Sequence, residues 1–141
     1  MAEQLFQIGI KAVVRNDKGE ILLLRHEGTD HYKTFWDFPG GRMQPGETFE
    51  QTLERELLEE IGFSHSAKPV LVAAVMANHT IAVGDTRVPL ILLAYEVTLP
   101  PDASITLGEG EEEYRLVQPA EAAELLADKY PQEFRDTLAK L

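Results

Sequence analysis

The chain has 141 residues, enough for one ordinary domain with a buried core. It contains no cysteine, which excludes disulfide bonds, thiolate metal sites and a thiol nucleophile. Its formal net charge of −11 disfavours binding to a nucleic acid duplex, but a bound divalent cation would still let a small phosphorylated substrate bind.

The N-terminal sequence lacks the features of a targeting segment. It has an early acidic residue, Glu3, and a short apolar run instead of a basic region followed by a long hydrophobic one. No apolar stretch reaches the roughly 18 residues that a membrane span requires. Because there is also no repeat or low-complexity linker, we expect a cytoplasmic protein with a single domain over residues 1–141 and no membrane partner.

The N-terminal part of the chain predicts a β-hairpin followed by loops. Two apolar runs flank Asn16-Asp17-Lys18-Gly19, the pattern of paired strands joined by a turn. A polar segment and a short aromatic segment then lead into Pro39-Gly40-Gly41, which we expect to be loop. The predicted strands are residues 8–15 and 20–25, the polar loop is residues 26–33, and the aromatic segment is residues 36–38.

The clearest predicted helix begins after Thr48. Thr48 and Gln51 have the spacing of a capping box, in which each side chain bonds the backbone of the other residue. A leucine or isoleucine recurs every four residues from Leu53 to Ile61, which gives an apolar stripe along one helix face. Gly62 follows the stripe and is placed to end the helix.

The second half of the chain predicts three further strands and two helices. A turn containing Gly84-Asp85 separates the first two of these strands. The strands are expected at residues 70–76, 88–97 and 114–117, and the helices at residues 119–127 and 131–141. Because strands and helices do not alternate regularly, we expect an α+β fold with a mixed sheet packed between helices.

Three glutamates lie on one side of the predicted helix at 48–62. Glu56, Glu59 and Glu60 fall within an arc of roughly 100° beside the apolar stripe, so Glu60 is expected to be partly buried. Repulsion and desolvation make this arrangement costly, and a hard divalent cation bound by the carboxylates would remove the cost. The alternative is a solvated helix face in which Arg55 pairs with Glu59, although one arginine does not neutralise three carboxylates.

The residues around these glutamates resemble the Nudix box, G-x5-E-x7-R-E-U-x-E-E-x-G-U, where U is a bulky apolar residue. All nine specified positions match at the correct spacing: Gly41, Glu47, Arg55, Glu56, Leu57, Glu59, Glu60, Gly62 and Phe63. The strand pattern, Trp36 and Pro39-Gly40-Gly41 extend the likeness beyond the box. The resemblance implies a Nudix-type α/β/α sandwich with a mixed β-sheet and a hydrolase that depends on Mg²⁺ or Mn²⁺.

The resemblance also implies roles for individual residues. Arg55 would orient the carboxylates, with Glu47 as its partner. The implied catalytic residues are Arg55, Glu56 and Glu59, and Glu56 is the first candidate for the general base or a shared ligand. The implied metal ligands are the side chains of Glu56, Glu59 and Glu60 and the backbone carbonyl of Gly41 or Gly40. Relatives often have a distal acidic residue, for which the candidates are Glu109, Glu111, Glu112 and Glu113.

Some residues outside the helix are candidates for contact with the substrate. Arg25 and Arg42 could meet phosphate, and a surface role is an equal alternative for each. Trp36 could stack on a base, with a core position as the favoured alternative. The four histidines are scattered without ligand spacing, which disfavours a zinc site.

The predicted function is cleavage of a diphosphate linkage in a small nucleotide-like substrate. Asn78 stands where some sugar-nucleotide pyrophosphatases have proline, and the tyrosine of some dinucleoside-polyphosphate hydrolases is missing, which together favour a nucleoside triphosphate pyrophosphohydrolase. The alternatives are a dinucleoside polyphosphate, ADP-ribose or nucleotide-sugar hydrolase, and a nucleotide-sensing domain without catalysis. No interface is evident, so we expect a monomer or a homodimer.

Overall fold

A mixed β-sheet with helices on both faces forms the body of the protein. The computed structural model describes residues 3–28, 34–65 and 67–141. None of the helices in these ranges combines the length and the apolar character needed to cross a membrane. The strands are β1 (Gln7–Arg15), β2 (Ile21–His26), β3 (Phe35–Asp37), β4 (Gly40–Arg42), β5 (Val70–Val83), β6 (Thr86–Thr98) and β7 (Glu111–Val117), and the helices are α1 (Phe49–Ile61), α2 (Pro119–Leu125) and α3 (Gln132–Ala139).

The two N-terminal strands of the sheet diverge from each other away from the turn that joins them. Its order is β3-β2-β1-β6-β5, with β4 paired to β1 and β7 paired to β2. β1 and β6 run parallel, and the other paired strands run antiparallel. β1 and β2 pair at Arg15 and Ile21, beside the turn that joins them. Farther from that turn β2 pairs with β3 and β1 pairs with β4, so the segment leading into α1 is held by both strands.

Alternating side chains of the sheet enter two separate cores. Ile10, Ala12 and Val14 of β1 pack with the apolar stripe of α1. Val13 points to the other face, where it packs with side chains from the C-terminal helices and the segments beside them. That second core includes Ala122, Leu126, Tyr130, Phe134 and Leu138. The helices therefore cover both faces of the sheet, as expected for the α/β/α sandwich.

Helix α1 begins and ends where its sequence predicts. The Thr48 side chain accepts a hydrogen bond from the backbone N–H of Gln51, and the Gln51 side chain accepts one from the backbone N–H of Thr48. Gly62 adopts a left-handed conformation with φ 64° and donates its backbone N–H to the carbonyl of Leu58. Both ends of the helix are thus fixed by local interactions, which hold its glutamates in a defined orientation.

The prediction of a loop at Pro39-Gly40-Gly41 is wrong for the two glycines. Gly40 and Gly41 form β4 with Arg42 and pair with β1. Glycine is rare in strands, so the local pattern indicated a loop. Close backbone packing explains the difference, because a Cβ at Gly40 would collide with the carbonyl oxygen of Ile10.

Other boundaries also differ from the predicted ones. β5 extends to Val83 and β6 begins at Thr86, so Gly84-Asp85 is the whole turn between them. β7 begins at Glu111, because pairing with β2 satisfies the backbone of residues whose own strand propensity is weak. Both C-terminal helices end two residues earlier than expected, at Leu125 and Ala139. Residues 29–33 of the expected polar loop lie outside the described residues.

A buried carboxylate connects β3 to β1 and to the C-terminal part of the chain. Asp37 is 1% exposed, and its Oδ1 accepts hydrogen bonds from the Tyr130 hydroxyl at 2.6 Å and the Phe38 backbone N–H at 2.8 Å. Its Oδ2 pairs with Lys129 and, at 2.9 Å, with Lys11. Burial alone would raise the pKa of Asp37, but the two lysines hold it well below its ordinary value.

We predict that Tyr130→Phe lowers the free energy of unfolding by about 1.5–3 kcal/mol, because it removes one hydrogen bond to a buried charged group and keeps the ring. Urea denaturation measures the change. Tyr114→Phe is the matched control on an exposed tyrosine and should change stability by less than about 0.5 kcal/mol. Equal effects of the two variants would contradict a stabilising role for the Tyr130–Asp37 bond.

Candidate active site

The glutamates of α1 meet the glycines of β4. Glu60 Oε1 accepts a hydrogen bond from the backbone N–H of Gly40 at 2.6 Å. A Cβ at Gly41 would overlap the carboxylate of Glu56, so only glycine lets the strand pass this close to the helix. Glu59 lies on the more open side, with its side chain 59% exposed. The structure therefore places Glu56 and Glu60 against the backbone of β4, whereas Glu59 faces outward beside Arg55.

Arg55 fixes the position of the neighbouring carboxylates. Its Nε and Nη2 donate to the two carboxylate oxygens of Glu47 at 2.7 and 3.0 Å, which is the expected ion pair in bidentate form. Its Nη1 donates to Glu56 Oε1 at 2.8 Å and lies 3.5 Å from Glu59 Oε2. Its Nη2 also donates to the Arg42 carbonyl. The hydrogen bonds from Arg55 lower the pKa of Glu47 to about 2.

Glu60 is the most strongly perturbed acid of the site. It is 9% exposed, and burial raises its pKa to about 8. The nearby carboxylates of Glu56 and Glu111 raise the pKa further, while Gly40 and Lys11 oppose the shift. A divalent cation would favour the ionised form, and carboxylate oxygens are the ligands that Mg²⁺ and Mn²⁺ prefer. The donor set therefore fits a hard cation.

Strand β7 adds one more carboxylate to this cluster. Glu111 lies opposite His26 of β2, and its side chain is 7% exposed. Its Oε1 lies 3.8 Å from His26 Nδ1, and its buried Oε2 has no hydrogen-bond partner among the described residues. Burial raises the pKa of Glu111 and lowers that of His26. The His26 ring stacks on Phe35 with 5.0 Å between ring centroids.

The other distal acidic candidates do not join the cluster in the described part of the chain. Glu109 is exposed in the turn before β7. Glu113 pairs instead with Arg25, whose Nη1 lies 3.2 Å from Glu113 Oε1. The side chain of Glu112 lies outside the described residues. Of the four candidates, Glu111 is therefore the one seen beside Glu60.

A cleft of about 810 Å³ lies next to β4 and is lined by two of the three substrate-binding candidates. Arg42 and Trp36 line it, whereas Arg25 does not. The guanidinium of Arg115 covers the Trp36 ring at 4.7 Å, so this indole is half-buried. The remaining lining residues are Thr34, Phe35, His79, Thr80, Ile81, Ala82, Arg87, Leu125, Leu126, Asp128 and Lys129.

Sequence reasoning missed Lys11 and His26 at this site. Lys11 is a buried cation close enough for Glu60 and Glu56 to raise its pKa, although burial acts against them and Asp37 has the larger effect. Lys11 interrupts the apolar run of β1, and His26 ends β2 after Arg25, so no local spacing marks either residue. Only the pairing of distant strands places them near the carboxylates.

Comparisons with known proteins identify relatives of this chain. The sequence matches the NUDIX domain family over residues 5–141. It is 40% identical over 52 residues to the 8-oxo-dGTP diphosphatase of Escherichia coli, a segment covering 37% of this chain and 40% of that protein. It is 41% identical over 59 residues to the RNA pyrophosphohydrolase of Coxiella burnetii, covering 42% of this chain and 25% of that protein. These matches span less than half the length of either curated relative.

The fold is shared with solved structures. A MutT protein from Methanosarcina mazei superposes with a TM-score of 0.72 and 26% sequence identity, covering 99% of this chain and 95% of that one. This agreement over the full length confirms the mixed α+β fold expected from the sequence.

We predict that the metal-free protein loses stability as the pH rises from about 4.5 towards about 8. In this window the folded protein keeps a proton on Glu60 that the unfolded chain has released, so unfolding becomes easier with rising pH. Urea denaturation in the presence of a chelator measures the slope.

Glu60→Gln serves as the control. It is needed because His26 and His79 have lowered pKa values in the folded protein, so they make stability rise with pH near their ordinary pKa and oppose the effect of Glu60. The wild-type protein should lose more stability across the window than the variant. Parallel curves for the two proteins would show that Glu60 does not titrate in this range.

Proposed function

Because the chain belongs to the NUDIX domain family, we propose that it is a Mg²⁺- or Mn²⁺-dependent hydrolase that cleaves a diphosphate linkage in a nucleotide-type substrate. The observation that carries the proposal is the approach of Glu56 and Glu60 to the backbone of Gly41 and Gly40. A buried acid that lies beside like charges and accepts a hydrogen bond from the Gly40 N–H is arranged for a cation more than for stability.

The cation would be held by Glu56, Glu59 and Glu60, with the carbonyl of Gly41 or Gly40 as a further ligand. When bound, it neutralises the diphosphate charge, positions the reacting group and makes bound water more acidic. The exposed side of Glu59 leaves the cluster open towards solvent, where a substrate can enter. Among the distal acids whose side chains the structure describes, Glu111 is the one beside Glu60.

Glu56 is our first candidate for the general base. Arg55 donates to Glu56 Oε1 at 2.8 Å, which orients the carboxylate. In the reaction, Glu56 would take a proton from the attacking water as the water oxygen bonds to phosphorus. The phosphoanhydride bond breaks, and its bridging oxygen leaves with the nucleoside monophosphate or the pyrophosphate. Arg55 acts as a positioning residue, because its bidentate contact with Glu47 fixes the guanidinium itself.

We propose a nucleoside triphosphate as the substrate, cleaved to a nucleoside monophosphate and pyrophosphate. The cleft beside β4 offers aromatic surface at Phe35 and Trp36 for a base and the cation Arg42 for phosphate. The E. coli relative, an 8-oxo-dGTP diphosphatase by name, supports this class. A diphosphate linkage in RNA is the second candidate, favoured by the match to an RNA pyrophosphohydrolase and opposed by the net charge of −11.

The setting of the reaction follows from the same properties. We propose that the protein is cytoplasmic, consists of a single domain and acts as a monomer or a homodimer. Neither a nucleic acid duplex nor a membrane is a proposed partner, given the acidic charge of the chain and the lack of a spanning helix in its described part.

The test is Mg²⁺-dependent release of pyrophosphate and phosphate from a panel of nucleoside triphosphates, dinucleoside polyphosphates, ADP-ribose, nucleotide sugars and 5′-triphosphate RNA. We predict turnover of a nucleoside triphosphate, with pyrophosphate as product. Glu59→Gln should lower kcat at least about 100-fold, because loss of a ligand removes several kcal/mol of charge stabilisation from the transition state.

Glu54→Gln is the matched control, because Glu54 is an exposed glutamate of the same helix. It should leave kcat within about twofold of the wild type. If the panel shows nucleotide binding without turnover, the protein is a nucleotide sensor and the proposed activity is wrong. If Glu59→Gln retains full turnover, the proposed metal site is wrong.

A further inference from the structure

A histidine joins two carboxylates beside the proposed Mg²⁺ site. Candidate ligand atoms of His26, Glu60 and Glu111 all lie within 4.8 Å of one another. These residues come from β2, α1 and β7, three elements that are far apart in the sequence. The cluster therefore depends on the tertiary fold, and the spacing of the histidines along the chain does not reveal it.

An irregularity in the pairing of β2 and β7 builds the cluster. Arg25 pairs with Glu113, but the register then shifts so that His26 pairs with Glu111. One extra residue on β7 is thereby passed over, as in a β-bulge. Because side chains alternate between the faces of a strand, this shift sets Glu111 directly opposite His26 on the face that carries α1.

The contacts inside the cluster leave ligand capacity unused. The Glu111 side chain is 7% exposed, and its Oε2 has no hydrogen-bond partner among the described residues. Such a buried oxygen without a partner costs free energy, unless a ligand compensates for it. His26 does not satisfy the acid either, because its Nδ1 lies 3.8 Å from Glu111 Oε1, beyond hydrogen-bond distance.

The imidazole is held in place by its neighbours. The His26 ring stacks on Phe35 with an interplanar angle of 23°. Phe35 also pairs with His26 across β2 and β3. A ring fixed in this way offers a nitrogen lone pair at a constant position, which favours coordination over a flexible surface contact.

We propose that His26, Glu60 and Glu111 form a mixed nitrogen–oxygen site for a divalent transition-metal ion such as Zn²⁺ or Co²⁺, beside the carboxylate site of Glu56 and Glu59. Imidazole nitrogen favours these ions over Mg²⁺, which prefers oxygen ligands alone. The proposal extends the proposed function, because Glu60 belongs to both sites. It gives His26 a ligand role and gives Glu111 Oε2 a partner, which it lacks among the described residues.

The test is titration of the full chain with Zn²⁺ or Mg²⁺ alone, observed through the ring nitrogens of ¹⁵N-histidine by NMR. The chain has four histidines, so the resonance that disappears in His26→Gln identifies the ring. We expect Zn²⁺ to shift the His26 nitrogens and Mg²⁺ at equal concentration to leave them unchanged. Zn²⁺ affinity should fall at least about tenfold in His26→Gln and in Glu111→Gln.

His65→Gln is the matched control, because His65 binds the carbonyl of Ala67 away from the cluster. It should keep the wild-type affinity, and backbone spectra of every variant show whether it is folded. Unmoved His26 nitrogens at saturating Zn²⁺, or equal affinity in His26→Gln and wild type, would overturn the proposal.

Glu59→Gln separates this proposal from the proposed function. We expect the variant to lose nucleotide turnover while Zn²⁺ still shifts the His26 ring. If Zn²⁺ no longer shifts the ring in Glu59→Gln, a single shared site would replace the two sites proposed here. Loss of turnover alone would not contradict the mixed metal site. Unmoved His26 nitrogens alone would not contradict the proposed hydrolase activity.

Discussion

The burial of Glu60 is the constraint on which the site depends. Its carboxyl group is 9% exposed and accepts a hydrogen bond from the Gly40 backbone, which replaces only part of the hydration it has lost. The nearby cation Lys11 is already bonded to Asp37, so it lowers the pKa of Glu60 without forming a direct ion pair. The folded chain therefore holds a carboxyl group whose ionised form becomes favourable when a cation is bound.

The fold holds this buried carboxyl group in place through helix α1, strand β4 and the contacts of Arg55. Helix α1 supplies the carboxylates. Its caps at Thr48 and Gly62 fix both helix ends and so fix the direction in which the carboxylates point. Strand β4 brings its backbone close, because Gly41 has no Cβ to collide with Glu56 of the helix. Arg55 then ties the helix to the preceding loop and to the carbonyl of Arg42. The energy that maintains the site comes from ordinary packing and capping elsewhere.

Local features of the sequence predicted the helical part of this arrangement. The face shared by the α1 glutamates and the helix ends follow from spacings of a few residues, whereas the Arg55–Glu47 pair was implied by the family resemblance. Strand β4 did not follow, because pairing with β1 overrides the low strand propensity of glycine. The position of Glu111 depends on a one-residue register shift, and Asp37 bonds Lys129 across 92 positions of the chain. No local pattern encodes contacts of that kind.

Proton release on metal binding tests the central claim most directly. Mg²⁺ is titrated into the metal-free protein at pH 7 by calorimetry, in two buffers that differ in ionisation enthalpy. Because the pKa of Glu60 is raised to about 8, the carboxyl group carries a proton at this pH and must lose it when the cation binds. The account predicts release of about one proton per Mg²⁺ bound, reduced in Glu60→Gln. Binding with the same heat in both buffers would contradict it.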